Sequence, residues 1–158
     1  MRRLAPAKIN LFLHIIGKRP DGYHNLASVM QQISIFDELE FKLRPEGISL
    51  SCPGADLPVN EDNLVYRAAK ALFDYASYPG GVEIKLTKKI PAGAGLGGGS
   101  SDAAATLTAL NELCSLNVSH DELMSLGADL GADLASDDVS GGCWCRQGST
   151  GTVHSPRH

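Results

Sequence analysis

Five glycines fall within seven residues, at Gly93, Gly95, Gly97, Gly98 and Gly99, inside the stretch KKIPAGAGLGGGSSDAAATLTALNEL. Ser100 and Ser101 follow at once, and then a run of alanines and leucines that favours helix. Glycine has no Cβ, so a ligand can approach the backbone and several N–H groups can converge on one anion. A helix beginning at Ser100 or Ser101 adds unpaired N–H groups and the positive end of its dipole. The chemistry on offer is phosphate binding. A tight turn would use the same glycines. A flexible linker would too, but it has no reason to stand between an alternating strand and a strong helix.

Two familiar phosphate loops do not fit. Gly93-Ala94-Gly95-Leu96-Gly97-Gly98 matches G-x-G-x-x-G, but a dinucleotide fold needs an acidic residue at the end of the next strand, about 20 residues on. Glu112 stands near that distance and falls within the helix itself. The Walker pattern fails because Gly99 occupies the position of its lysine. Other residues with chemical potential are spread along the chain. Lys8, Asn10 and His14 share one face of an alternating run, Tyr23 and His24 follow a turn, and Asp129 and Asp133 end two consecutive copies of Leu-Gly-Ala-Asp. On period alone, Lys8 reads as a solvated strand lysine and the two aspartates as ordinary helix-end or loop residues.

The elements that must position these groups are legible in outline. KINLFLHI alternates, with Ile9, Leu11, Leu13 and Ile15 on one side and Lys8, Asn10, Phe12 and His14 on the other, which predicts a half-buried strand. A turn around Pro20, Asp21 and Gly22 follows. SVMQQISIFDELEFKL predicts one or two strands with a break near Asp37, and GISLSC another strand. A helix is expected from about Asp62 to Ala76, with Leu64, Ala68 and Leu72 on one face and Asn60 or Asp62 as cap. GVEIKLTKKI alternates through Val82, Ile84 and Leu86 into the glycine loop. The helix after the loop is expected from about Ser101 to Cys114, its face formed by Ala103, Leu107, Leu110 and Cys114. A last helix, from about Ser119 to Leu126, carries a Ser119/Glu122 capping box. Strands cluster early and helices late, so the expected class is α+β, a mixed sheet with helices packed on one face.

Bulk properties narrow the function. The chain has 158 residues, 20% of them charged, and a net charge of −4. A nucleic-acid-binding domain would carry a basic excess, so nucleic acid is not an expected partner. No apolar run approaches the roughly 18 residues that span a bilayer. Lys8, Asn10 and His14 interrupt any signal-peptide core, and the isolated Cys52 and Cys114 suit a reducing cytoplasm.

PAGAGLGGGSSDAA resembles the phosphate loop of the GHMP kinases, the small-molecule kinases of galactose, homoserine, mevalonate and phosphomevalonate. PAKINLFLHIIGKRPDGYHNLASVMQQISIFDEL, EDNLVYRAAKAL and LGADL occur in the family's order. They are most similar to its branch acting on 4-diphosphocytidyl-2-C-methyl-D-erythritol, in non-mevalonate isoprenoid precursor biosynthesis. The resemblance covers about Leu4 to Leu134. It implies the family's N-terminal ATP-binding domain over residues 1–134, with a ribosomal-protein-like fold. It also implies a cytoplasmic enzyme that uses ATP and Mg²⁺ to phosphorylate the 2-hydroxyl of that substrate. Lys8 matches the family's active-site lysine and Asp133 its catalytic aspartate, with Asp129 as the competing copy. Pro91, Ala92, Gly93, Ala94, Gly95, Leu96, Gly97, Gly98, Gly99, Ser100 and Ser101 match the ATP-phosphate loop. Asn63 and Lys88 match positions near the nucleotide, and Asn10, Tyr23 and His24 the side that holds the cytidyl substrate. Ser100 or Ser101 is the candidate Mg²⁺ ligand, Ser101 being the one carried forward.

The sequence departs from the family after LGAD, where Val-Pro and a hydrophobic strand are expected and Leu134-Ala135-Ser136-Asp137-Asp138 stands instead. Residues 135–158 are polar and rich in glycine and serine, with no legible strand or helix period. They are expected to be a divergent tail, disordered or produced by a frameshift, in a chain lacking the family's second half. Cys143, Cys145, His154 and His158 have the residue types of a metal set, but no hydrophobic frame holds them together. The expectation is therefore a kinase domain impaired by truncation, or a non-catalytic fragment that keeps a nucleotide site.

Overall fold

The structure is a computed structural model that describes residues 1–18, 24–130, 143–147 and 152–154. Among these described residues nine elements follow one another: β1 (Arg2–Lys18), β2 (His24–Arg44), β3 (Ile48–Ser51), α1 (Leu64–Tyr75), β4 (Gly81–Thr87), α2 (Gly98–Leu113), α3 (His120–Asp129), β5 (Cys143–Gln147) and β6 (Thr152–His154). The long β2 organises the sheet. It pairs antiparallel with β1 along its length, with β4 through its C-terminal part and with β5 through Ala27–Gln31. β3 joins β4 in parallel, so the sheet is mixed, as expected.

Alternation decides which face of the sheet is covered. On β4, Val82, Ile84 and Leu86 are buried while Glu83 and Lys85 face out. Leu39 and Phe41 of β2 join the buried side, where they meet Val65, Ala68 and Leu72 of α1 and Ala103, Leu107 and Leu110 of α2. Leu123 of α3 completes this core. On the open face, Lys85 Nζ meets Glu40 Oε1 at 2.9 Å, an exposed pair that contributes little stability.

Several boundaries differ from the sequence expectation. β2 is not broken near Asp37. Asp37 lies in register with Ala5 and is fully buried, because its carboxylate finds donors beyond the end of β4. The irregularity lies three residues earlier. Pro6 pairs with Phe36 but Ala7 with Ile33, leaving Ser34 and Ile35 as a bulge. β1 is not half-buried throughout. Ala5 and Ala7 are buried, but Leu11, Phe12, Leu13 and His14 are all exposed, and the register slips between Asn10 and Phe12. The α1 cap is Asn63, not Asn60 or Asp62: its Oδ1 accepts from Val65 N at 2.9 Å and its Nδ2 donates to the Pro58 carbonyl at 2.8 Å. Asn60 instead shapes the preceding turn, accepting from Asp62 N.

The helix after the glycine loop starts at Gly98, earlier than expected, because Gly97 in the left-handed conformation serves as its N-cap. α3 has the expected Ser119/Glu122 capping box and continues through the first Leu-Gly-Ala-Asp copy to Asp129. Hydrogen bonds from the Ser119 hydroxyl first, and then from Tyr75, pull the Glu122 carboxyl down to about 2. The stretch after Leu134 was expected to hold no strand, yet β5 and β6 pair with each other and β5 with β2. Pairing partners far along the chain supply the structure that local pattern did not reveal. Cys145 is opposite His154 in that pairing, whereas His158, Tyr23 and Asp133 lie outside the described residues.

The burial contrast yields a test. Leu72→Ala should lower the unfolding free energy by about 2–5 kcal/mol, the range for a truncated core leucine. Leu11→Ala, at a side chain 59% exposed, should stay within about 0.5 kcal/mol. Urea unfolding of the two variants checks the assignment of the covered face.

Candidate nucleotide site

The site begins where β4 ends. Thr87 is the last β4 residue paired with β2, and Lys88, Lys89 and Ile90 carry the chain to Pro91 and the loop. Ile90 in this arm is buried. Gly93, Gly95 and Gly97 then adopt φ near +73°, +73° and +71°, a region that L side chains rarely enter. The alternation of left-handed glycines folds the loop into a cradle that runs directly into α2. A cavity of about 430 Å³ opens above it, lined by residues 91–100 together with Leu57, Pro58, Asp62, Asn63, Leu64, Val65, Leu86, Lys88 and Asp102.

The expected site residues are distributed unevenly around this cavity. Lys88 forms part of its floor, and Asn63 lines it while its amide is engaged in capping α1. Of the two serines, Ser100 lines the cavity. The backbone N–H of Ser101 closes the first turn of α2 onto the Gly97 carbonyl at 3.0 Å, and Ser101 is not among the lining residues. Lys8 is brought to the loop from outside. Its backbone N–H donates to the Leu96 carbonyl at 2.9 Å, and its side-chain carbons pack where a Cβ on Gly97 would stand. Lys8 Nζ donates to Asn10 Oδ1 at 3.3 Å, which places these two expected residues together. Asp129, the last residue of α3, is exposed and does not line the cavity. His24 opens β2 opposite Lys18, while Tyr23 and Asp133 are outside the described residues.

Sequence reasoning missed two carboxylates. Lys88 Nζ donates to Asp37 Oδ2 and, at 2.8 Å, to Asp102 Oδ2. Asp37 is fully buried, Asp102 is 2% exposed, and the lysine side chain is 9% exposed. Asp37 Oδ1 also accepts from the backbone N–H groups of Lys89 at 2.6 Å and Ile90 at 2.8 Å. Among the described residues, Asp102 Oδ1 has no hydrogen-bond partner. A signal was present for Asp102, which stands before three alanines in an otherwise uncharged first half of α2, where a charge without a partner would be costly; Asp37 is followed by Glu38 in a strand that carries other charges and offers no such signal.

Two carboxylates sharing one ammonium attract a proton. Burial pushes the Asp102 carboxyl up to about 7, although the hydrogen bond and charge of Lys88 oppose the rise. For Lys88, burial acts downward, but the bonds and charges of Asp102 and Asp37 outweigh it and the ammonium is held above its ordinary value.

Two consequences are measurable. A Cβ at Gly98 would stand 2.9 Å from Ile90 Cγ2 and 3.2 Å from Lys88 Nζ, whereas one at Gly99 would meet only Leu64 Cδ1 at 3.5 Å. Gly98→Ala should therefore lower the melting temperature and Gly99→Ala leave it nearly unchanged, as read by thermal unfolding. The second consequence concerns pH. A carboxyl raised from 3.8 to about 7 on folding binds its proton more tightly in the native state. Its contribution thus favours folding at low pH and fades as pH rises from about 4 through 7. In chelator-treated buffer, Asp102→Asn should remove that decline, gaining stability relative to the unsubstituted chain as pH rises from 5 to 7.5. Parallel urea titrations at both pH values check this.

Comparison with known proteins agrees with the geometry. The family described as the GHMP kinases N terminal domain matches residues 63–144, a span that crosses the boundary expected at Leu134. A 4-diphosphocytidyl-2-C-methyl-D-erythritol kinase of Syntrophus aciditrophicus is 53% identical over 144 residues, covering 91% of this chain and 52% of that protein. One from a Shewanella species (strain ANA-3) is 54% identical over 132 residues, covering 82% and 46%. The chain therefore spans about half the length of these curated relatives. The crystal structure of a 4-(cytidine 5'-diphospho)-2C-methyl-D-erythritol kinase superposes with a TM-score of 0.83 at 40% identity, covering 99% of this chain and 55% of that one. Homoserine kinase from Cytophaga hutchinsonii shares the fold, with a TM-score of 0.71 at 21% identity. The chain belongs to the GHMP kinases, as their N-terminal domain.

Proposed function

We propose that the chain is the nucleotide-binding half of a small-molecule kinase that transfers the γ-phosphoryl group of ATP to the 2-hydroxyl of 4-diphosphocytidyl-2-C-methyl-D-erythritol. The observation that carries this reading is the cradle of left-handed glycines opening α2 with Lys88 at its floor. The names of the relatives support the substrate. In this reading the loop N–H groups and the α2 N-terminus bind the ATP phosphates. Lys88 adds a fixed positive charge. ATP supplies the phosphoryl group, and Mg²⁺ neutralises charge on it.

The donors suit Mg²⁺ arriving with the phosphates. Among the described residues no cluster of three His, Cys, Asp or Glu could hold a metal alone. Mg²⁺ commonly takes one or two protein oxygens plus substrate phosphates, and the hydroxyls of Ser100 and Ser101 stand at the start of α2. Asp133 would take the proton of the acceptor hydroxyl as general base. Lys8 would keep that carboxylate ionised and orient the hydroxyl. Asn10, Tyr23 and His24 would hold the cytidyl end. Residues 1–134 would form the working domain, in the cytoplasm. No helix among the described residues is long and apolar enough to cross a membrane.

A second reading is nucleotide binding without turnover, favoured by the chain's spanning about half of its relatives. ADP release in the presence of ATP, Mg²⁺ and the cytidyl substrate separates the two. The kinase reading expects ADP formation that requires both substrates; saturable ATP binding with no ADP formation supports the binding-only reading. Where turnover is measured, Asp133→Asn should lower kcat by about 10²-fold or more, the general-base range. Asp129→Asn should be mild, and the reverse ranking would assign the base to the first Leu-Gly-Ala-Asp copy.

A further inference from the structure

Asp37 stands just below the loop without lining the cavity. Both of its oxygens are in use. Oδ2 accepts from Lys88 Nζ, and Oδ1 accepts from the backbone N–H groups of Lys89 and Ile90. These three donors are consecutive residues and lead directly into Pro91, the start of the glycine loop. Thr87, opposite Glu38, is the last residue of β4 on the β2 ladder. The Asp37 carboxylate therefore takes over as acceptor where the sheet stops, and it sets the direction in which the chain leaves.

We propose that Asp37 is a positioning residue for nucleotide binding: anchored by the Lys89 and Ile90 amides, it fixes the Lys88 ammonium in the cavity lining. It acts on the nucleotide through Lys88. This inference rests on the kinase reading for the identity of the ligand. Lys88 lines the cavity, and its Nζ lies 3.2 Å from where a Cβ on Gly98 would stand, beneath the first residue of α2. A lysine side chain is long and loses much rotamer freedom when fixed. Ordering it before the ligand arrives removes that cost from binding. Asp102 is a second tether, engaged among the described residues through Oδ2 alone. Asp37, with three donors on two oxygens, is the anchor. A carboxylate that merely stabilised the fold would change the melting temperature and leave the nucleotide affinity of the folded protein unaltered.

The test is a double-mutant cycle read by calorimetry with MgATP on the 158-residue chain. Asp37→Asn removes the charge and Asp37→Glu displaces it by one methylene; each is made alone and together with Lys88→Met. With Lys88 present, each Asp37 variant should weaken binding by about tenfold, the scale of a hydrogen bond to a charged group. In the Lys88→Met background the same change should cost less than about twofold, since coupled residues are non-additive. If Asp37→Asn does not melt cooperatively, Asp37→Glu carries the cycle. Lys88→Met alone gives an independent check: it should weaken MgATP by about tenfold while the Lys89 and Ile90 amides stay protected from hydrogen exchange by Asp37. Equal losses with and without Lys88, or full affinity in Lys88→Met, would overturn the positioning role and leave the nucleotide site standing. Absence of MgATP binding by the unsubstituted chain would overturn both.

Discussion

The buried ammonium of Lys88 is the constraint on which the arrangement depends. It joins three pieces of chain that are distant in sequence: Asp37 in the middle of β2, the exit from β4, and Asp102 in the second turn of α2. An ammonium taken out of water needs partners, and removing one partner of a buried pair costs about 3–5 kcal/mol because the remaining charge is stranded. The three groups thus stay together or all become expensive. Apolar packing of Leu72, Ile84 and Leu110 stabilises the layer of helices on the sheet, but packing is non-directional. The ion network adds direction. It fixes where the β4 exit meets the α2 entrance, and the glycine loop is the chain that connects them.

That fixed gap explains the loop's composition. Only ten residues, 88–97, separate β4 from α2, and the loop reverses direction by placing three of them in left-handed conformations. Side chains at Gly93, Gly95 and Gly97 would be strained there whatever the space around them. Gly97 carries a second restriction, because the Lys8 stem occupies the position its Cβ would take. The same glycine therefore serves as the cap of α2 and as the point where β1 touches the loop. Lys8 is held by that contact and by its backbone bond to Leu96, so moving the loop moves Lys8 with it.

Much of this was legible in the sequence, and the failures share a cause. The strands around Val82–Leu86 and the α3 capping box rest on local period and cap chemistry, and these appear where expected. The loop was legible because five glycines before a helix former have few other uses. The expected break near Asp37 does not occur because the donors that accommodate its carboxylate lie 51 to 53 residues away, beyond the reach of local pattern. Asp102 was passed over for the same reason, hidden in an alanine-rich helix with its cation 14 residues back. β5 was illegible because five residues carry no period, and its strand character comes from pairing with Ala27–Gln31. The outer half of β1 shows the reverse error. Its alternation predicted a buried face, but Leu11 and Leu13 are more than half exposed, since no described element covers them. Period identifies a strand without saying what lies against it.

A cluster of acids beneath an anion site looks self-defeating, and the charges decide whether it is. With both carboxylates ionised, the Asp37–Lys88–Asp102 group carries −1; with Asp102 protonated it carries none. Burial places that carboxyl at about 7, so near neutral pH the group lies between these limits. The α2 N-terminus, whose first residues line the cavity, contributes roughly half a positive charge. Position matters as much as sum. Lys88 lines the cavity with its Nζ close to Gly98, whereas Asp37 does not line it. Asp102 shares the cavity lining with the ammonium, so its protonation lowers the opposing charge where the proposed phosphates would sit, while Asp37 adds its charge from outside the lining. Asp37 thus costs the site little attraction while removing the lysine's freedom, which is how a buried negative charge can serve the binding of another negative charge.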